Sequence, residues 1–218
     1  MRAFGVHWNR QLRKREAMID IQRELAEAHR QVTADPGGTV SVVITREYRA
    51  GQAGVWNALT DPERLRRWFL PISGDLRVGG SFQLEGNAGG EIRRCERPEL
   101  LEVTYGGPTS VVRVRLRATG EERTELVLEH TVPVELAGSP AGSLYVGPGW
   151  DGAFLTLGQY FAGTLPEDPF AAAATLEGQE FSKRSVQLWV AAATGTATLE
   201  EIAAAAEAAL GQYAPDLS

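Results

Sequence analysis

The sequence predicts an α+β protein in which a curved antiparallel sheet of about seven strands wraps one long helix, with extra helices at both ends. Between residues 74 and 132, short β-rich segments recur and each is cut off by Gly or Pro, the mark of successive hairpins. Directly after them, Trp150, Phe154, Leu157 and Phe161 fall at helical spacing over residues 150–162, with Gly163 placed to stop the helix. Helix-periodic sequence flanks this unit on both sides.

Residues 9–33 contain no Gly or Pro, and Leu12, Met18, Ile21, Leu25, Ala28 and Val32 recur at three- and four-residue steps among charges. An amphipathic leader helix is expected there, ending before Asp35-Pro36-Gly37-Gly38. Its stripe is expected to pack either on the domain or on a second copy, which would make a homodimer.

Residues 39–48 are β-branched and alternating, with Val40, Val42, Ile44 and Tyr48 on one side, and form the first predicted strand. Two short helices follow. One covers residues 53–59; the other is opened by Asp61 as N-cap with Pro62 in its first turn. Further strands are expected at 75–78, 81–85, 91–97, 100–105, 110–118 and 123–132. In the last two, Val112, Val114 and Leu116 alternate with Arg113, Arg115 and Arg117, and Leu126, Leu128 and His130 alternate with Glu125, Val127 and Glu129. A turn at Gly120 sets Arg117 opposite Glu125 and Arg113 opposite Glu129, so the arginine row is a solvated face and not a phosphate site. Beyond residue 165 come two helices, one carrying Phe181, Leu188 and Trp189 and ended by Gly195, the other opened by the capping box Thr198/Glu201. The expected division is a helical leader at 1–36, a main domain at 37–164 and a helical extension at 165–218.

Composition excludes several classes. The charged fraction of 23% and apolar fraction of 43% are those of a globular chain. No run of eighteen apolar residues suggests a membrane span. With 22 Lys and Arg against 28 Asp and Glu, the net charge of −6 repels a polyphosphate backbone, and no nucleic-acid partner is expected. The opening residues lack the apolar core of a secretion signal, so a cytoplasmic location is expected. One cysteine and three histidines offer no internal disulfide and no metal-ligand spacing, so neither a metal nor a cofactor is expected. Cys95 is expected to be a buried strand residue. No nucleophile stands beside a base, no carboxylates are paired, and the glycines at 74–80 are followed by no helix that would make a phosphate loop, so no catalytic residue is assigned.

The order of strand, two short helices, meander and long helix, together with the residues running from Val55-Trp56-Asn57-Ala58-Leu59 through Asp61-Pro62 to Trp68-Phe69, resembles the SRPBCC superfamily, in its branch similar to activators of the heat-shock-protein-90 ATPase. Gly79-Gly80-Ser81-Phe82, Glu129-His130-Thr131 and Gly149-Trp150 carry the same resemblance, which covers about residues 39–163. It implies a helix-grip fold of START-like, pollen-allergen-like type, with a cavity between sheet and helix. Carriers, receptors, cyclases and co-chaperones share that superfamily, so the fold by itself selects no function.

Inward strand residues and the near face of the long helix line such a cavity. The short helices contribute Trp56, Trp68 and Phe69; the strands Phe82, Leu84, Tyr105, Val114, Leu128 and His130; the long helix Trp150, Phe154, Leu157 and Phe161. The first expectation is a binding protein for a small apolar or amphipathic molecule, oriented by His130 or Tyr105. The alternatives are a protein-interaction module resembling the chaperone ATPase activator, and a cyclase- or hydratase-type enzyme using His130 as general acid or base.

Overall fold

The computed structural model describes residues 19–35 and 38–218. An eight-stranded antiparallel sheet runs in the order β1-β2-β8-β7-β6-β5-β4-β3. Its strands are β1 (Ala28–Asp35), β2 (Thr39–Tyr48), β3 (Ile72–Gly74), β4 (Ser81–Leu84), β5 (Gly89–Glu96), β6 (Leu100–Thr104), β7 (Val111–Gly120) and β8 (Arg123–Pro133). The helices are α1 (Ile21–Ala26), α2 (Gln52–Thr60), α3 (Pro62–Trp68), α4 (Val134–Ala137), α5 (Gly147–Ala162), α6 (Pro169–Ala174), α7 (Leu176–Ala193) and α8 (Leu199–Tyr213), with a 3₁₀ turn at Pro140–Tyr145.

The expected leader helix is corrected where it is described. Residues 28–35 form an edge strand, β1, paired antiparallel with β2, and only Ile21–Ala26 is helical. Ala28 and Val32 stand four residues apart, a spacing that shares one face of a strand as well as of a helix, and pairing with β2 decides between them. Residues 9–18 of the expected helix lie outside the described residues. β1 brings the sheet to eight strands. The strand expected at 75–78 is a loop, and β3 lies just before it at Ile72–Gly74.

Elsewhere local chemistry and observed element agree. Asp61 caps α3, its carboxylate accepting from Glu63 N at 2.9 Å, with Pro62 in the first turn. α5 ends on Gly163 in the left-handed region, φ 68°. α8 carries the Thr198/Glu201 capping box, although its first residue, Leu199, is 79% exposed. In the β7–β8 hairpin Arg117 pairs with Glu125 and Arg113 with Glu129, both on the outer face.

The concave face carries the core. α5 packs on β2, and α7 packs on both α5 and β1. One hydrophobic cluster runs from Ala28 on β1 to Ala209 on α8, so the C-terminal helices share the core of the sheet. A buried polar knot fastens this shell: Arg30 Nε on β1 donates to Asp151 on α5 at 2.8 Å, and the same carboxylate accepts from Ser185 and Trp189 of α7. Arg30 Nη1 also donates to the carbonyls of Leu25 and Ala28. Among the described residues no helix is long and apolar enough to cross a membrane.

Candidate functional site

Inward alternation places Ile92 on β5, Leu101 and Val103 on β6, Val112 and Val114 on β7, and Leu126 and Leu128 on β8 along one wall. α5 supplies the facing wall with Trp150, Ala153, Phe154 and Leu157, and α3 contributes Leu65 and Trp68. Between them lies a cavity of about 390 Å³, open at a rim formed in part by Ile72, Leu76, Arg77, Val78 and Cys95. Leu76 and Val78 are 40% and 54% exposed, unusual for aliphatic side chains bordering an apolar hollow.

Of the thirteen residues nominated from the sequence, ten line this cavity: Trp68, Phe69, Phe82, Leu84, Tyr105, Val114, Leu128, Trp150, Phe154 and Leu157. The other three do not. Trp56, on α2, is buried in the packed core. Phe161, a turn and more beyond Leu157, turns toward Tyr48, ring centroids 5.7 Å apart, and borders a separate polar groove with Arg23, Glu24 and Arg46.

His130 faces inward as alternation requires, yet it is buried beside the cavity and not on its wall. Its Nδ1 accepts from Trp150 Nε1 at 3.1 Å, and its Nε2 lies 2.8 Å from Ser110 Oγ. An indole N–H can only donate, so Nδ1 is the acceptor and the proton sits on Nε2, directed at Ser110. Burial pushes the imidazole down to about 4, leaving it neutral at physiological pH. Both ring nitrogens are thus committed within the fold.

Three further polar side chains of the lining are similarly engaged. Tyr105 donates to Asn87 Oδ1 at 2.7 Å, and burial pushes its hydroxyl up to about 12. Trp68 Nε1 donates to the Ala58 carbonyl at 2.9 Å, and Thr60 Oγ1 to the Trp56 carbonyl at 2.8 Å.

Cys95 corrects an expectation: it is exposed, at the rim. The β5–β6 register shifts between Ile92 and Arg94, and this bulge brings Cys95 to the cavity side opposite Leu101, near the open end. Sequence reasoning missed Leu101, Val103, Val112 and Leu126 although they share the inward face of residues it named. It also missed Arg46, which occupies the inward position between Ile44 and Tyr48 and is held there by Glu24, Glu27 and the Phe154 carbonyl.

The family model described as Activator of Hsp90 ATPase homolog 1-like protein matches residues 49–162, from the end of β2 to the end of α5. CalU16 from Micromonospora echinospora is 34% identical; its crystal structure covers 76% of this chain and 97% of its own, with a TM-score of 0.61. Its solution structure, also 34% identical, covers 78% and 97% at a TM-score of 0.65. A conserved protein of unknown function from Enterococcus faecalis, 18% identical, covers 79% of this chain and 95% of its own at 0.56, a likeness of fold. Among curated proteins no sequence matches this chain. On the family match and the CalU16 likeness together, the chain belongs to the Activator of Hsp90 ATPase homolog 1-like family, within the SRPBCC superfamily.

Proposed function

We propose that the protein binds a small apolar or amphipathic molecule in the cavity between the sheet and α5. One observation carries this reading: the facing side chains leave about 390 Å³ unfilled, within an almost wholly apolar lining. Small-molecule sites span roughly 300–1,000 Å³ and have this character. The inward aromatics Trp68, Phe69, Phe82, Tyr105, Trp150 and Phe154 offer large contact area with little loss of side-chain freedom.

Native and denaturing mass spectra of the freshly purified protein test the reading. A stoichiometric small molecule that leaves on unfolding supports it. A protein that carries none, and takes up no apolar probe at millimolar concentration, contradicts it.

A second reading, a protein-interaction module, is favoured by the family's description as an ATPase activator homologue and by the exposed Leu76 and Val78. In that case a partner protein would protect the 75–80 loop, where a small ligand would protect the inner wall. An enzymatic role for His130 finds no support in its position, because a general acid or base needs a ring nitrogen within reach of the substrate.

A further inference from the structure

The cavity wall also bears on the kind of molecule that fits it. Six of its residues carry polar side-chain groups: Thr60, Trp68, Arg77, Cys95, Tyr105 and Trp150. Four of these are engaged inside the protein, by the Trp56 and Ala58 carbonyls, Asn87 and His130. A ligand acceptor buried deep in the hollow, an anionic oxygen above all, would therefore find no free side-chain N–H or O–H donor there among the described residues and would go unmet.

What is left lies at the rim. Arg77 is the one charged side chain among the described residues that line the cavity. Its Nε donates to both carboxylate oxygens of Asp75, at 3.0 and 2.8 Å, while its two Nη groups have no hydrogen-bond partner among the described residues. Asp75 itself is not part of the lining. A guanidinium with its Nε side occupied still presents N–H donors in the plane that matches a carboxylate or sulfonate.

Resting on the binding function proposed above, we infer that the ligand is an amphiphile with an apolar body and a single anionic end, the body filling the cavity and the anion meeting Arg77 at the rim. The net charge of −6 repels anions at long range, so any preference for an anionic ligand has to arise locally.

Two fluorescent probes of similar aromatic body separate the claims: N-phenylnaphthylamine, which is neutral, and anilinonaphthalene sulfonate, which is anionic. Both are titrated into the full chain, each is used to displace the other, and the ratio of their affinities is the readout. The expected result is mutual displacement, tighter binding of the sulfonate, and a ratio that falls about tenfold in Arg77→Gln, the loss of one charge-assisted pair. Arg77→Lys should restore part of the ratio by keeping the charge. A ratio unchanged in Arg77→Gln, or a sulfonate that fails to displace the neutral probe, overturns the anionic end and leaves the cavity reading standing. If neither probe binds, the cavity reading falls and takes this inference with it.

Discussion

Trp150 donates its indole N–H to Nδ1 of His130 across 3.1 Å, joining the first turns of α5 to the sheet and fixing the histidine's tautomer. With Ser110 on the other nitrogen, the ring is held neutral, its pKa pushed from 6.5 down to about 4 by burial. The folded pKa lies below the unfolded one, so the unfolded chain binds the extra proton. The resulting stability is complete above pH 6.5 and is lost as pH falls toward 4, a loss of about 3 kcal/mol over that interval. Urea unfolding at pH 7 and pH 4.5 should show a smaller acid loss in His130→Gln than in the wild type. Equal losses would mean that this histidine is not buried neutral.

The pair Arg30–Asp151 ties β1 to α5, and Ser185 and Trp189 tie α7 to the same carboxylate. The two charged side chains are 7% and 1% exposed, so removing one strands the other without solvent. Asp151→Ala is expected to cost about 3–5 kcal/mol in urea unfolding followed by tryptophan fluorescence. Asp151→Asn keeps an acceptor oxygen for Ser185 and Trp189 and should cost less.

Gly147 opens α5 against the ring of Trp189, and a Cβ at this position would stand 2.5 Å from the indole Cδ2. Trp189 is fully buried and cannot swing away. Gly147→Ala should therefore destabilise by about 1–3 kcal/mol despite alanine's better helix propensity, a difference that a thermal melt resolves.

Cys95 is the single cysteine, so its labelling is unambiguous. Because it is exposed at the rim, Ellman's reagent should titrate it without denaturant, and N-phenylnaphthylamine should slow the reaction. A thiol silent until unfolding would place Cys95 inside the fold.

Much of the fold was legible because alternation survives wherever one face of a strand is buried. Val112, Val114 and Leu116 against Arg113, Arg115 and Arg117 define β7, and the same pattern gives the β7–β8 register. Asp61-Pro62 and the Thr198/Glu201 pair mark helix starts through side-chain chemistry that acts within one turn. What was not legible depends on distant partners. Residues 28–35 have a spacing that suits helix and strand alike, and pairing with β2 decides. The bulge that re-aims Cys95 leaves no local mark. His130 points inward as expected, but its removal from the cavity wall depends on Trp150, twenty residues away, and on Ser110. Arg46 shows that an alternating pattern can place a charge inside when a second segment, here Glu24 and Glu27, supplies the counter-charge.

Ala153 offers the most direct test of a binding site between the sheet and α5, because its small side chain borders that space from the helix. Isothermal titration of N-phenylnaphthylamine would be compared in the wild type and in Ala153→Trp, whose indole occupies the hollow. One site is expected in the wild type, and an affinity reduced at least about tenfold in the variant, with the fold retained by circular dichroism. Equal affinity in a folded Ala153→Trp protein would contradict it, placing the bound probe somewhere other than this cavity.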